Sequence, residues 1–141
     1  MICTFFGHKL CPDSIEDELE RQIRYLIAEK GVTEFLCGNQ GGFDSMVRRL
    51  LKAMKAEYGI SYSVVLAYMP QKTKRDSPDD YSDTVFPECL AGVHPKYAIS
   101  KRNMWMIEKA DFVITYVHNT TGGASRFKSI SEKKGKTVIN I

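Results

Sequence analysis

The stretch Val32-Thr33-Glu34-Phe35-Leu36-Cys37-Gly38-Asn39-Gln40-Gly41-Gly42-Phe43-Asp44 decides the fold. A strand-like apolar run stops at Gly38, and two further glycines precede Met46, Val47, Leu50, Leu51 and Met54 at helical spacing. That helix ends around Gly59. Glycines in a strand-to-helix turn let the backbone approach a ligand and adopt positive φ. The helix start then presents free amides and the positive end of its dipole, which suits a phosphate or carboxylate. The turn is neither GxGxxG nor a Walker sequence, so it carries no dinucleotide or triphosphate signature. The plain alternative is a tight turn in which Asp44 complements the helix dipole.

Working outward, residues 2–6 form an apolar run ending at Gly7, which reads as a buried strand. Asp13-Ser14-Ile15-Glu16 has capping-box spacing, and Ile15, Leu19, Ile23, Leu26 and Ile27 place one apolar stripe on a helix ending near Gly31. On the other side, Tyr62–Tyr68 reads as a third strand, closed by Met69-Pro70. Residues 70–96 hold Pro70, Pro78, Pro87 and Pro95, with Lys72, Lys74, Arg75, Asp76, Asp79 and Asp80. A loop of this length in a small domain suggests a lid or binding loop, and Thr84-Val85-Phe86 adds a short extended piece. A helix over Tyr97–Lys109, a strand over Asp111–Val117, a helix over Ala124–Lys134 and a strand over Thr137–Ile141 complete the chain.

This order predicts an α/β, Rossmann-like three-layer sandwich with a mostly parallel five-stranded sheet, formed by residues 1–141 as a single domain. In such sheets ligands sit beyond the carboxyl ends of the strands, where strand order reverses. The turns to inspect are therefore Gly7-His8, Gly38–Asp44, Tyr68–Pro70 and His118–Ser125.

Composition narrows the class. Hydrophobic residues at 43% and charged residues at 26% are ordinary for a soluble globular protein. A net charge of +3, with both signs mixed along the chain, counts against a nucleic-acid binder. No stretch approaches the roughly 18 apolar residues of a membrane helix, and the N-terminus lacks a basic leader. Cys3, Cys11, Cys37 and Cys89 show no metal-ligand spacing, so no metal site or cofactor is expected. Cys3 and Cys37 read as reduced buried thiols, which makes a cytoplasmic protein the default.

Thr120-Thr121-Gly122-Gly123-Ala124-Ser125 repeats the strand–glycine–helix layout after the fourth strand. Two such turns at one end of a sheet favour a shared binding site over two unrelated turns. Arg102-Asn103, near the start of the helix before that strand, offers a fork of donors to a phosphate, with a solvated basic residue as the bland alternative. His8, at the mouth of the first strand, is placed to donate to a ligand. His94 and His118 read as surface residues, and Met104, Trp105 and Met106 as packing residues. The candidate binding set is thus Gly7, His8, Gly38, Asn39, Gly41, Gly42, Asp44, Arg102, Asn103, Thr121, Gly122, Gly123 and Ser125. No catalytic residue is assigned.

Together these residues resemble the SLOG superfamily, the Rossmann-like group containing the DNA-processing A proteins and the Lonely Guy phosphoribohydrolases. Gly38 to Asp44 is similar to the family's GxxxGxD turn. Arg102, followed by Ala110-Asp111 and an apolar strand, resembles the Lonely Guy RK…AD stretch, and Gly122-Gly123 occupies the place of its PGGxGT turn. The element order most resembles the small SLOG proteins of bacteria and their phages. The resemblance implies a pocket for a nucleotide or nucleoside derivative built from the two glycine turns and Arg102. It also implies, for an enzyme, N-glycosidic cleavage of a nucleoside monophosphate assisted by a carboxylate. Here the chain departs: Thr121 replaces the proline, Ser125 a glycine, and Lys128 and Ser129 stand where the glutamates fall. A lysine cannot stabilise positive charge building on a sugar.

Three functions follow as expectations. The first is a ligand sensor or binding module for a nucleotide-like molecule. The second is a nucleotide N-glycosidic hydrolase with a non-standard carboxylate, with Asp44, Glu88 and Glu132 as candidates. The third is a nucleic-acid-binding module, which the modest charge disfavours. Pairing into a homo-oligomer is left open.

Overall fold

Cys3, Thr4, Phe5 and Phe6 are all buried, which places their strand in the middle of a sheet covered on both faces. The computed structural model describes residues 1–69 and 83–141. Its strands are β1 (Ile2–Gly7), β2 (Glu34–Cys37), β3 (Ser61–Val65), β4 (Thr84–Val85), β5 (Phe112–Tyr116) and β6 (Thr137–Asn140). The helices are α1 (Glu16–Lys30), α2 (Gly42–Tyr58), α3 (Pro95–Lys109) and α4 (Gly123–Lys133). The sheet runs β4-β3-β2-β1-β5-β6, and every pairing is parallel.

Strand alternation sorts the core into two layers. Cys3 and Phe5 of β1, Phe35 and Cys37 of β2, and Phe112 and Ile114 of β5 pack with Leu19, Ile23 and Leu26 of α1 and Phe43, Val47 and Leu51 of α2. The alternate residues Phe6, Leu36 and Val113 pack with Met106 and Ile107 of α3 and Phe127 of α4. Each fully buried side chain of this kind contributes about 1.5–3 kcal/mol. The chain steps one way from β1 to β4, then returns to the far side of β1 for β5. The reversal falls between β1 and β5, where the carboxyl ends of adjacent strands diverge into opposite helix layers.

Three expectations need correction. The sheet has six strands instead of five, because Thr84-Val85 pairs with Val64 and Val65. Val64 N donates to Asp83 O at 2.7 Å and Leu66 N to Val85 O at 2.8 Å. Two residues are too few to show a strand period. The capping box at Asp13 does not form: Asp13–Ile15 make a 3-10 turn without side-chain capping, and α1 begins at Glu16. Arg102 and Asn103 lie in the interior of α3, since Pro95 opens the helix two residues earlier than expected, with His94 Nδ1 accepting the Lys96 amide at 3.1 Å. His94 and His118 are exposed but partnered. His118 N donates to His8 Nε2 at 3.0 Å, and His118 Nε2 stands 3.0 Å from Ile141 O.

Cys3 and Cys37 are free and buried. Burial, with the Asp44 charge adding to it, pushes the Cys37 thiol up to about 12, so it is inert at neutral pH. Met106 is core, and Met104 and Trp105 pack against it partly buried. The stretch with Lys72, Lys74, Arg75, Asp76, Asp79 and Asp80 lies outside the described residues, as does Pro70 of the third turn. Among the described residues no helix is long and apolar enough to cross a membrane.

Candidate functional site

At the β1–β5 reversal lies a cleft of about 330 Å³. Its floor is the end of β1, where Gly7, His8 and Lys9 leave the sheet. Gln40 and Asp44 enter from the turn after β2, Arg102 and Asn103 from α3, and Gly123 and Ala124 from the start of α4. Phe6, Ile99, Met106 and Phe127 form an apolar wall, with the Phe6 and Phe127 rings stacked at 5.6 Å.

Asp44 and Arg102 define the chemistry. They are 8% and 2% exposed, far from the surface charges their types suggest. The Gln40 amide donates to Asp44 Oδ2 at 2.9 Å. Arg102 Nε donates to Asn103 Oδ1 at 2.7 Å, and its Nη1 to Val65 O at 2.9 Å and Asn39 Oδ1 at 3.5 Å. Gly38 lies between them: a Cβ there would stand 2.7 Å from Asp44 Oδ2 and 3.0 Å from Arg102 Nη1. The two side chains influence each other through their charges, without a direct hydrogen bond or ion pair. Burial raises the Asp44 pKa, opposed by the Gln40 amide and the charges of Arg102 and Arg48. Burial lowers the Arg102 pKa, opposed by Asp44. Each charge thus offsets part of the other's desolvation.

The raised Asp44 pKa gives a pH prediction. The unfolded chain's aspartate titrates near ~3.9. The stability from the native preference for the protonated acid is fully present below that value and is lost as pH rises through the folded pKa. Asp44→Asn, which keeps an acceptor for Gln40, should therefore be more stable than wild type at pH 7. The gap should close as the buffer is taken toward pH ~4. Urea melts of both proteins across this range check it, and a gap that widens on acidification overturns it.

The two glycine turns differ. At α2 the Gly42 amide donates to Lys9 O at 2.7 Å, and a Cβ on Gly42 would meet that oxygen at 2.6 Å. Gly41 and Gly42 therefore close the start of α2 onto the β1 loop and do not line the cleft. At α4, Gly122 has a φ of +100°, a left-handed value that favours glycine, and the helix start has no side-chain cap. A Cβ on Gly122 or Gly123 would meet nothing within 4 Å, so this end is open to close approach. Thr121 and Gly122 are exposed beside the cleft, and Ser125, partly exposed, does not line it.

Of the sequence-derived set, the fold brings Gly7, His8, Asp44, Arg102, Asn103 and Gly123 to the cleft, with Gly38 and Asn39 directly behind the charged pair. Lys9, Gln40 and Ala124 were not singled out, although each adjoins a residue that was. The apolar wall carried no local signal beyond strand and helix periodicity. Asp44 is the carboxylate lining the cleft among the described residues. Glu132 pairs with Lys128 at 2.8 Å in a separate depression, and Glu88 is exposed on a 3-10 turn. No group of three or more His, Cys, Asp or Glu placed to hold a metal occurs among the described residues.

The loop that carries the open helix end is tied down where it leaves β5. Asn140 Oδ1 accepts from Thr115 Oγ1 at 2.8 Å and from Val117 N at 2.9 Å, while its Nδ2 donates to Val117 O at 3.1 Å. His8 Nε2 takes the next amide, from His118, and is thereby the unprotonated ring nitrogen in the neutral tautomer.

No protein-family model matches the sequence, and no curated protein matches it in sequence. The fold is similar to that in the X-ray structure of DNA processing protein A (DprA) from Streptococcus pneumoniae, with a TM-score of 0.68 and 18% sequence identity. The similarity covers 98% of this chain and 49% of that one, so the chain spans about half the length of its structural neighbour. By its strand order and its match to this neighbour, the chain has the DprA-like Rossmann-type fold.

Proposed function

We propose that residues 1–141 form a single SLOG-like domain that binds a nucleotide or nucleoside derivative, acting as a ligand sensor or binding module. The observation that carries this reading is that Asp44 and Arg102, both buried, line one cleft at the strand-order reversal. Its volume of about 330 Å³ lies near the lower end of small-molecule sites, which run from about 300 to 1,000 Å³. That favours a mononucleotide-sized ligand. The uncapped start of α4 suits its anionic group, with Lys9 and His8 alongside. Arg102, with the Asp44 charge close by, is poorly placed to take a phosphate and better placed to hold a neutral polar group.

The test is a thermal-shift series with nucleoside mono- and diphosphates, cyclic dinucleotides and nicotinamide nucleotides. At least one should stabilise the wild type, and the shift should shrink in Gly38→Ala, whose methyl group would displace the Asp44 carboxylate. If nothing in the series moves the wild-type midpoint, the reading fails.

A second reading is supported by Asp44 as the carboxylate within the cleft: N-glycosidic hydrolysis of a nucleoside monophosphate, with Asp44 stabilising positive charge on the sugar. Chromatography of reactions with the common nucleoside monophosphates tests it. Base release no greater than in Asp44→Ala removes it.

A further inference from the structure

Asn103 is 8% exposed, and chemistry fixes which way its amide is turned. One side-chain atom lies 2.7 Å from Arg102 Nε. A guanidinium has donors only, so the atom facing it is the oxygen Oδ1. That leaves the amide nitrogen Nδ2, with two hydrogens and no protein partner among the described residues. Nδ2 is not sealed from solvent, for the fully buried side-chain nitrogen or oxygen left unpaired among the described residues is Arg48 Nε. Asn103 lines the cleft and is otherwise enclosed, so Nδ2 has the cleft as its opening. An unbonded amide nitrogen there carries a desolvation cost that a ligand relieves.

The neighbours of Asn103 indicate what would meet it. Ile99, Asn103 and Met106 follow at i, i+4 and i+7 on one face of α3, and all three line the cleft. Ile99, 36% exposed, stands at the mouth, and Met106, 1% exposed, at the depth. Asn103 is thus the polar residue set between two apolar ones, and the stacked rings of Phe6 and Phe127 extend the same wall. A flat ring laid against this wall brings its polar edge to Asn103. Arg102, the next residue, is likewise a donor without an acceptor. With the Asn103 oxygen already spent, the α3 side of the cleft offers hydrogens and no lone pair. A ring carbonyl suits it, because its oxygen has two lone pairs to give. An exocyclic amino group would set donor against donor and leave both unpaired at a buried position.

We propose that Asn103, oriented by Arg102, reads a ring carbonyl, so that the site takes nucleotides of oxo bases (6-oxopurines and 4-oxopyrimidines) in preference to those of amino bases. This rests on the nucleotide-binding reading above, and the experiment separates the two. The full chain is titrated calorimetrically with IMP against AMP and with UMP against CMP, pairs in which an oxo group is exchanged for an amino group. At least one oxo member should bind, and bind tighter than its amino counterpart on the order of 10–100-fold, the cost of leaving buried hydrogen-bonding groups unpaired. Asn103→Asp keeps an oxygen for Arg102 and turns the remaining atom into an acceptor, so it should abolish or reverse that preference. Equal affinity within each pair, or tighter binding of AMP or CMP, overturns the carbonyl assignment and leaves nucleotide binding standing. Binding confined to other members of the thermal-shift panel does the same. An oxo preference that persists undiminished in Asn103→Asp removes Asn103 from the role. Absence of binding by all four compounds and by the wider panel removes the nucleotide reading and the carbonyl assignment with it. The wild-type comparison needs no variant, so it decides even where Asn103→Asp folds poorly.

Discussion

Arg102→Met is expected to destabilise the fold by about 2–4 kcal/mol, from two buried acceptors left without their donor, a large share of the stability of a domain this size. The methionine preserves much of the side chain's volume but removes every donor. Val65 O loses its 2.9 Å bond and Asn103 Oδ1 its 2.7 Å bond, both in buried surroundings. Asp44 is left 8% exposed without the guanidinium that offsets its desolvation. Urea denaturation measures the loss, and an unchanged slope would confine the effect to stability rather than compactness. A decrease below about 1 kcal/mol would show that the guanidinium is not stabilised as described. The double variant Arg102→Met, Asp44→Leu sharpens the point. Removing both charges eliminates the uncompensated carboxylate, so it should recover part of the single variant's loss. Ligand binding should not recover.

Gly7→Val is the second large effect. A Cβ at Gly7 would lie 2.3 Å from two ring carbons of Phe43, which is 0% exposed and has no room to retreat. Gly7 is also held in register opposite Tyr116, whose ring stacks on Phe43 at 6.3 Å. Overpacking of this kind costs about 1–3 kcal/mol, occasionally more. The relief available is for Phe43 to move, which carries the start of α2 and Asp44 with it. The variant should therefore lose ligand response in the thermal-shift series as well as stability. Gly123→Ala is the control, since a Cβ there meets nothing within 4 Å. It should melt within about 0.5 kcal/mol of wild type. Comparable stability for Gly7→Val would mean that Phe43 yields more easily than its burial implies.

The alternation of apolar residues and the glycine punctuation made most of the fold legible. Leu19, Ile23 and Leu26 formed the predicted stripe of α1, and Met46, Val47, Leu50, Leu51 and Met54 that of α2. Helices α1 and α2 ended at the glycines expected, Gly31 and Gly59. Local reading failed where a neighbour distant in sequence supplied the decisive bond. Strand β4 exists because β3 offers it an edge, and no two-residue stretch can advertise that. The capping box at Asp13 had the right spacing but lost to a 3-10 turn that starts after Pro12. In the candidate site, Gly42 looked like a phosphate-facing glycine, yet its amide is taken by Lys9 O from the preceding strand–helix loop.

The sequence by itself determined the order of β1, β2, β3, β5 and β6 and of the four helices, and that the sheet is parallel. Periodicity and turn chemistry are local, and the handedness of βαβ units then leaves few ways to assemble the pieces. Only the tertiary structure decided which charged residues belong to the site. An aspartate after a glycine turn and an arginine on a helix look alike whether solvated or buried. Their state depends on α3 crossing the sheet so that Arg102 reaches Val65 and a residue 63 positions earlier, Asn39. That crossing turns two charges the sequence could not place into buried groups lining one cleft.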